Sequence, residues 1–74
     1  MHDYDKRTPL VKGKLDLHIW GGSGGFHVAI ETPAECIIDE DEDTYATLDI
    51  VDLAASRLVR RFTNELVKAT IAME

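Results

Sequence analysis

The apolar period of this chain changes once, and that change limits the folds open to it. From Leu15 to Glu31 apolar side chains recur at every second position; from Thr47 onward they recur at every third and fourth. The first period suits strands buried on one face, and the second suits an amphipathic helix. Leu15, Leu17 and Ile19 oppose Asp16, His18 and Trp20, while Phe26, Val28 and Ile30 oppose His27, Ala29 and Glu31. Gly21-Gly22-Ser23-Gly24-Gly25 lies between the two runs, so they form a β-hairpin. Pairing Ile19 with Phe26, Leu17 with Val28 and Leu15 with Ile30 gathers the apolar residues on one side. That register sets Lys14 opposite Glu31 and leaves a four-residue loop from Gly21 to Gly24. A register two residues over keeps the faces but opposes Asp16 to Glu31, so the first is preferred.

Thr32-Pro33 ends the second strand, because proline has no amide donor. Glu35 to Ile38 is a candidate third strand, and the acidic run that follows breaks the pattern. In the helical segment, Leu48, Val51, Ala55, Leu58, Phe62, Leu66 and Ala69 form the apolar stripe, with Thr47 as the candidate N-cap and a start near Asp43 as the alternative. Asp49 and Asp52 near its start and Lys68 near its end suit the helix dipole. The expected fold is α+β: an antiparallel hairpin or meander of two to three strands packed on one long C-terminal amphipathic helix. Residues 1–9 are expected as a loose arm, 10–38 as the meander, 39–46 as an acidic loop and 47–72 as the helix. Leu15, Leu17, Ile19, Phe26, Val28 and Ile30 then meet Val51, Leu58, Phe62 and Leu66 in one core. An unbroken helix would be about 40 Å long at 1.5 Å per residue. A globule of this length is only about 30 Å across. The helix must therefore break near Thr63-Asn64 or overhang the sheet, and a second copy is the simplest cover for an overhang.

Charge is distributed as unevenly as hydropathy. Nine acidic residues and no lysine or arginine lie between Glu31 and Asp52, with Asp39-Glu40-Asp41-Glu42-Asp43 unbroken. Such a block stays in water or meets a cationic partner. The net charge of −6 disfavours general binding to nucleic acid or anionic membranes. Seventy-four residues with a single cysteine, Cys36, make one small domain without an intrachain disulfide. The polar start lacks the features of a signal peptide, so a cytoplasmic protein is expected, with homodimerisation as the missing source of stability.

No motif announces catalysis, and neither an enzyme nor a cofactor is expected. Asp39, Asp41 and Asp43 have the spacing that opens an EF-hand loop, but Thr44 stands where glycine is needed and Ile50 where glutamate is needed. The glycine cluster joins two strands, unlike the strand-to-helix phosphate loops; a small ligand closed under it is the weaker alternative. His18, His27 and Asp16 are potential zinc ligands, but they fall short of a supported three- or four-ligand site, so no metal is expected. Cys36 lacks a basic neighbour and reads as a small buried hydrophobe.

Two surfaces remain. Trp20, His18 and His27 make an aromatic patch on the face the helix does not cover, beside Asp39, Glu40, Asp41, Glu42 and Asp43. They point to a non-enzymatic module binding a basic protein, with inhibition or modulation of a cationic nucleic-acid-handling partner, of the phage or mobile-element kind, as the expected role. Arg57, Arg60, Arg61 and Lys68 on the helix face opposite the stripe form the alternative, a nucleic-acid-binding dimer, which the acidic balance disfavours. The order strand, strand, strand, helix resembles the second half of a double-stranded-RNA-binding domain. Leu48 to Leu53 carry two aspartates and no lysine where that family has its basic cluster, so its RNA function is not carried over.

Overall fold

The structure, a computed structural model, describes residues 4–72, with side chains to residue 69. Four strands, β1 (Tyr4–Val11), β2 (Leu15–Gly22), β3 (Gly25–Glu31) and β4 (Ile37–Tyr45), precede one helix, α1 (Leu48–Ala72). The sheet is an antiparallel meander in the order β1-β2-β3-β4, and α1 packs on one face, against β3 and β4. The α+β class stands, with four strands in place of two to three.

The two edge strands correct the expected segments. The part of the supposed loose arm that is described, from Tyr4 on, is edge strand β1; Met1 to Asp3 lie outside the described residues. Pro9 is accommodated because β1 is an edge, and the pairing is irregular between Pro9 and Val11. The supposed acidic loop, 39–46, belongs through Tyr45 to β4, the opposite edge, and the supposed 35–38 strand begins only at Ile37. Neither strand announces itself by apolar alternation. Both alternate polar side chains that find charged partners on β2, β3 and α1.

The hairpin takes the register two residues over from the preferred one. Leu17 pairs with Ile30, Ile19 with Val28, Gly21 with Phe26, and Asp16 with Glu31. Only Ser23 and Gly24 remain in the turn, not a four-residue loop. Two causes decide it. Arg7 of β1 lies against both Asp16 and Glu31 and removes the repulsion that disfavoured this pairing. Gly21 also falls between Tyr4 and Phe26, whose rings meet edge to face with centroids 6.1 Å apart. Gly21 has φ +143°, and a Cβ there would lie 2.2 Å from the Gly25 carbonyl oxygen; at Gly25, with φ +113°, it would lie 2.2 Å from Thr44. The glycines thus serve strand pairing and close approach.

The core joins Ile19, Val28 and Ile30 to Val51, Ala54, Ala55 and Leu58, with Tyr4, Leu15, Leu17, Phe26, Tyr45 and Phe62 packed around it. Thr47 caps the helix: its Oγ1 accepts from the Ile50 amide at 3.3 Å, and its carbonyl accepts from Val51 at 3.1 Å. The helix does not break at Thr63-Asn64. It overhangs, and every described residue after Phe62 is exposed. Leu66, expected in the core, is 53% exposed because the sheet ends beneath Phe62. Lys68 sits short of the last turn, which holds no basic residue. Cys36 is exposed, not buried, in the turn before β4. No helix among the described residues is long and apolar enough to cross a membrane.

Candidate functional site

Strand alternation divides the charges of the sheet between its two faces. On the face away from α1, Asp5 and Arg7 stand on β1, Asp16, His18 and Trp20 on β2, and His27, Ala29 and Glu31 on β3. Arg7 holds Asp16 at 3.3 Å, closes tightly on Glu31, and lies 3.7 Å from Glu35. Each ring nitrogen of His18 faces a carboxylate: Nδ1 is 2.9 Å from Glu31 and Nε2 is 2.8 Å from Asp5. Glu31 is 5% exposed although no helix covers it, because Arg7 and His18 enclose it. Burial works to lower the Arg7 pKa, but Glu31, Asp16 and Glu35 more than offset this and raise it. Both nitrogens of His18 thus face carboxylates, while Asp16 lies against Arg7 and His27 stacks on Trp20.

Beside this cluster lie the three aromatic residues singled out from the sequence. His18 and Trp20 stack with centroids 4.6 Å apart, and Trp20 and His27 stack at 5.5 Å, both pairs within 28° of parallel. His27 opposes Trp20 directly, whereas the expected register opposed it to His18. Ala29 is fully buried between His18 and Glu40 in the pairing, so this layer closes over the sheet without a second helix. All three rings remain partly exposed.

The acidic run splits in the same way. In β4, Asp39 pairs with Ile30 and Asp41 with Val28, which turns both toward α1; Glu40 pairs with Ala29 and turns to the aromatic face. Asp39 accepts from Arg61 at 3.1 Å, and the same Arg61 nitrogen donates to the Glu40 carbonyl at 3.3 Å. Asp41 accepts from the Tyr45 hydroxyl at 2.6 Å and from the Asp43 amide at 3.0 Å. Asp41, Asp43 and Tyr45 line a hollow together with Arg57 and Arg61. Within the run, Asp39 is thus ion-paired with Arg61, and Asp41 is hydrogen-bonded beside Arg61 and Arg57. Glu40, on the strand's other side, and Glu42 are both exposed.

Asp41 titrates low and Tyr45 high. Burial pushes Asp41 up, but the Tyr45 and Asp43 hydrogen bonds and the charges of Arg61 and Arg57 outweigh it. For Tyr45 the bond to Asp41 is the main cause, reinforced by burial and by the charges of Asp41 and Asp43. The depressed Asp41 stabilises the fold above its unfolded pKa and loses that contribution as pH falls through the folded one. The raised Tyr45 stabilises below its unfolded pKa and loses its contribution as pH rises through the folded one. Tyr45→Phe should therefore destabilise the protein at neutral pH and flatten its stability profile at both the acidic and alkaline ends. Urea midpoints from pH 2 to 11 check this; parallel profiles for the two proteins would contradict it.

The helix cations divide as well. Arg57, Arg60, Arg61, Asn64, Glu65 and Lys68 line one shallow surface of about 310 Å³. Arg61 is paired with Asp39 and Arg57 stands over Asp41, so the alternative nucleic-acid surface has its two inner arginines beside carboxylates, leaving Arg60 and Lys68 at its exposed rim. Sequence reasoning grouped Trp20, His18 and His27 but missed Arg7, Asp5 and Glu31. The available signal was the alternation of Asp5 and Arg7 with Tyr4, Lys6 and Thr8. Comparison with protein families, curated proteins and solved structures finds no match.

Proposed function

We propose that this protein is a non-enzymatic binding module whose partner is a basic protein surface, docked on the open face of the sheet. The observation that carries the reading is the Trp20 stack on the same face as the outward carboxylate Glu40, with exposed Glu42 two residues along the strand. Tryptophan on a preformed surface gives area at little entropic cost, and a cation over an aromatic ring gains further attraction. The rings and the Arg7–Glu31–His18 cluster are held by one another, so binding requires little ordering. Net charge of −6 adds long-range steering toward a cationic partner. Inhibition or modulation of a nucleic-acid-handling protein is the role this chemistry serves, by covering a basic surface.

The inward aspartates belong to the fold, which sharpens the test. Trp20 is the single tryptophan, so its fluorescence reports directly on the face. Titration with an arginine-rich peptide at low salt should perturb that emission, and added salt should reverse it. Glu40→Gln with Glu42→Gln should weaken binding roughly 3- to 10-fold. Asp39→Asn should leave binding within about twofold and lower stability instead. Undiminished peptide binding by the double glutamine variant would remove the basis of the proposal.

A further inference from the structure

One helix is too narrow for this sheet. A helix is about 10 Å wide, and four strands about 4.8 Å apart need nearly twice that cover. Because α1 sits over β3 and β4, an open cleft of about 520 Å³ remains above β1 and β2. Lys6, Thr8, Leu17 and Ile19 form its floor, and Asp52, Ser56 and Val59 its wall. The same molecule carries a helix end with no sheet beneath it. Phe62 and Leu66 line a hollow with Ile38 at the start of β4, and the helix continues past them to Ala72. Ile37 and Ile38 beside it are each more than half exposed.

The structure assigns both surfaces to one event: we propose that a second copy of the chain lays the projecting end of its helix in this cleft, and receives the first copy's helix end in its own. A two-fold axis normal to the sheet, at the end bearing the β1–β2 and β3–β4 turns, performs the exchange. Under that axis the half of the sheet with a helix in one copy continues into the half without one in the other. Leu66 and Ala69, three apart on the helix beyond the packed Phe62, form the stripe that meets Thr8 and Leu17 of the other copy. The turns support the same arrangement. Lys12 and Lys14 flank the β1–β2 turn, and Glu35 in the β3–β4 turn, although 3.7 Å from Arg7, keeps 78% of its side chain exposed. The axis sets each basic turn against the partner's acidic one. The cleft and the helix end also each carry one charge of either sign, Lys6 with Asp52 and Lys68 with Glu65. The contact is isologous and closed, so it stops at two copies.

The test is sedimentation equilibrium over a range of concentrations, with circular dichroism to confirm folding of each variant. The wild-type chain should sediment at twice its 8.3 kDa mass. Leu66→Lys with Ala69→Glu alters only exposed helix positions and should weaken association at least about tenfold. Ser56→Trp, which fills the cleft from its wall, should do the same. Glu35→Lys alone and Lys12→Glu with Lys14→Glu should each weaken the dimer, and the three changes together should restore it. A monomer at all concentrations overturns the proposal. So does a dimer insensitive to the cleft and helix-end variants, or one without rescue by charge reversal. None of these readouts involves Trp20 emission, so this proposal and the one for the open face stand or fall separately.

Discussion

Replacing Arg7 by methionine should destabilise the protein by about 3 kcal/mol, the usual cost of removing one partner from a buried ion pair. The substitution keeps an apolar stem of similar length and removes the guanidinium, with its charge and its hydrogen bonds to Asp16 and Glu31. Asp16 and Glu31 are then left opposed on adjacent strands, with Glu31 still enclosed beside His18. A buried carboxylate without its cation accounts for most of the loss. Changing Glu31 to glutamine in the same chain should recover a large share, because it removes the orphaned charge as well as the bond. Urea denaturation of the two single variants and the double variant measures the coupling; independent, additive effects would show that Arg7 does not hold this pair. The variant should also favour the register in which Lys14 meets Glu31. Cross-strand contacts between Leu15 and Ile30 in nuclear magnetic resonance spectra would report that slip, since Leu17 faces Ile30 in the native pairing.

Leu58→Ala should be the most damaging single truncation on the helix. Leu58 is 2% exposed at the centre of the helix–sheet contact, among Val28, Ile30 and Val51. Leucine-to-alanine changes at such sites cost about 2–5 kcal/mol. A core of this size rarely supplies more than about 3–5 kcal/mol in total. The variant should therefore be largely unfolded at 25 °C, with loss of the near-ultraviolet dichroism of Trp20. Phe62→Ala should cost less, since Phe62 lies at the margin of the sheet and is only partly buried. A Leu58→Ala protein that melts within a few degrees of wild type would contradict the packing described.

These two residues also mark where the sequence was legible. Leu58 belongs to an apolar stripe whose period identifies both the helix and the face it buries, so the helix and the β2–β3 hairpin were both readable. Arg7 belongs to a strand that buries almost no apolar surface. Its alternation is between polar side chains, and their partners are known only once β1 lies beside β2. The register followed the same course: opposing Asp16 to Glu31 looks unfavourable until the cation from β1 is counted. The acidic run misled in the opposite sense. Five consecutive carboxylates suggest a solvated loop, yet a strand sends alternate ones to opposite faces, and Arg57 and Arg61 receive one set. Trp20, His18 and His27 were recoverable because they lie on the hairpin's polar face in either register. Glu31 could not be recognised as buried, because what buries it comes from a segment that resembles a tail.

The order β1-β2-β3-β4 joins each strand only to its immediate predecessor and successor in the chain, and the helix returns over the last two. Loop closure between neighbouring strands is then inexpensive, and the long-range contacts are those that bring Val51 and Leu58 of the helix onto Ile19, Val28 and Ile30. Each hairpin shares a strand with the next, and the core closes only where the helix lies on the sheet.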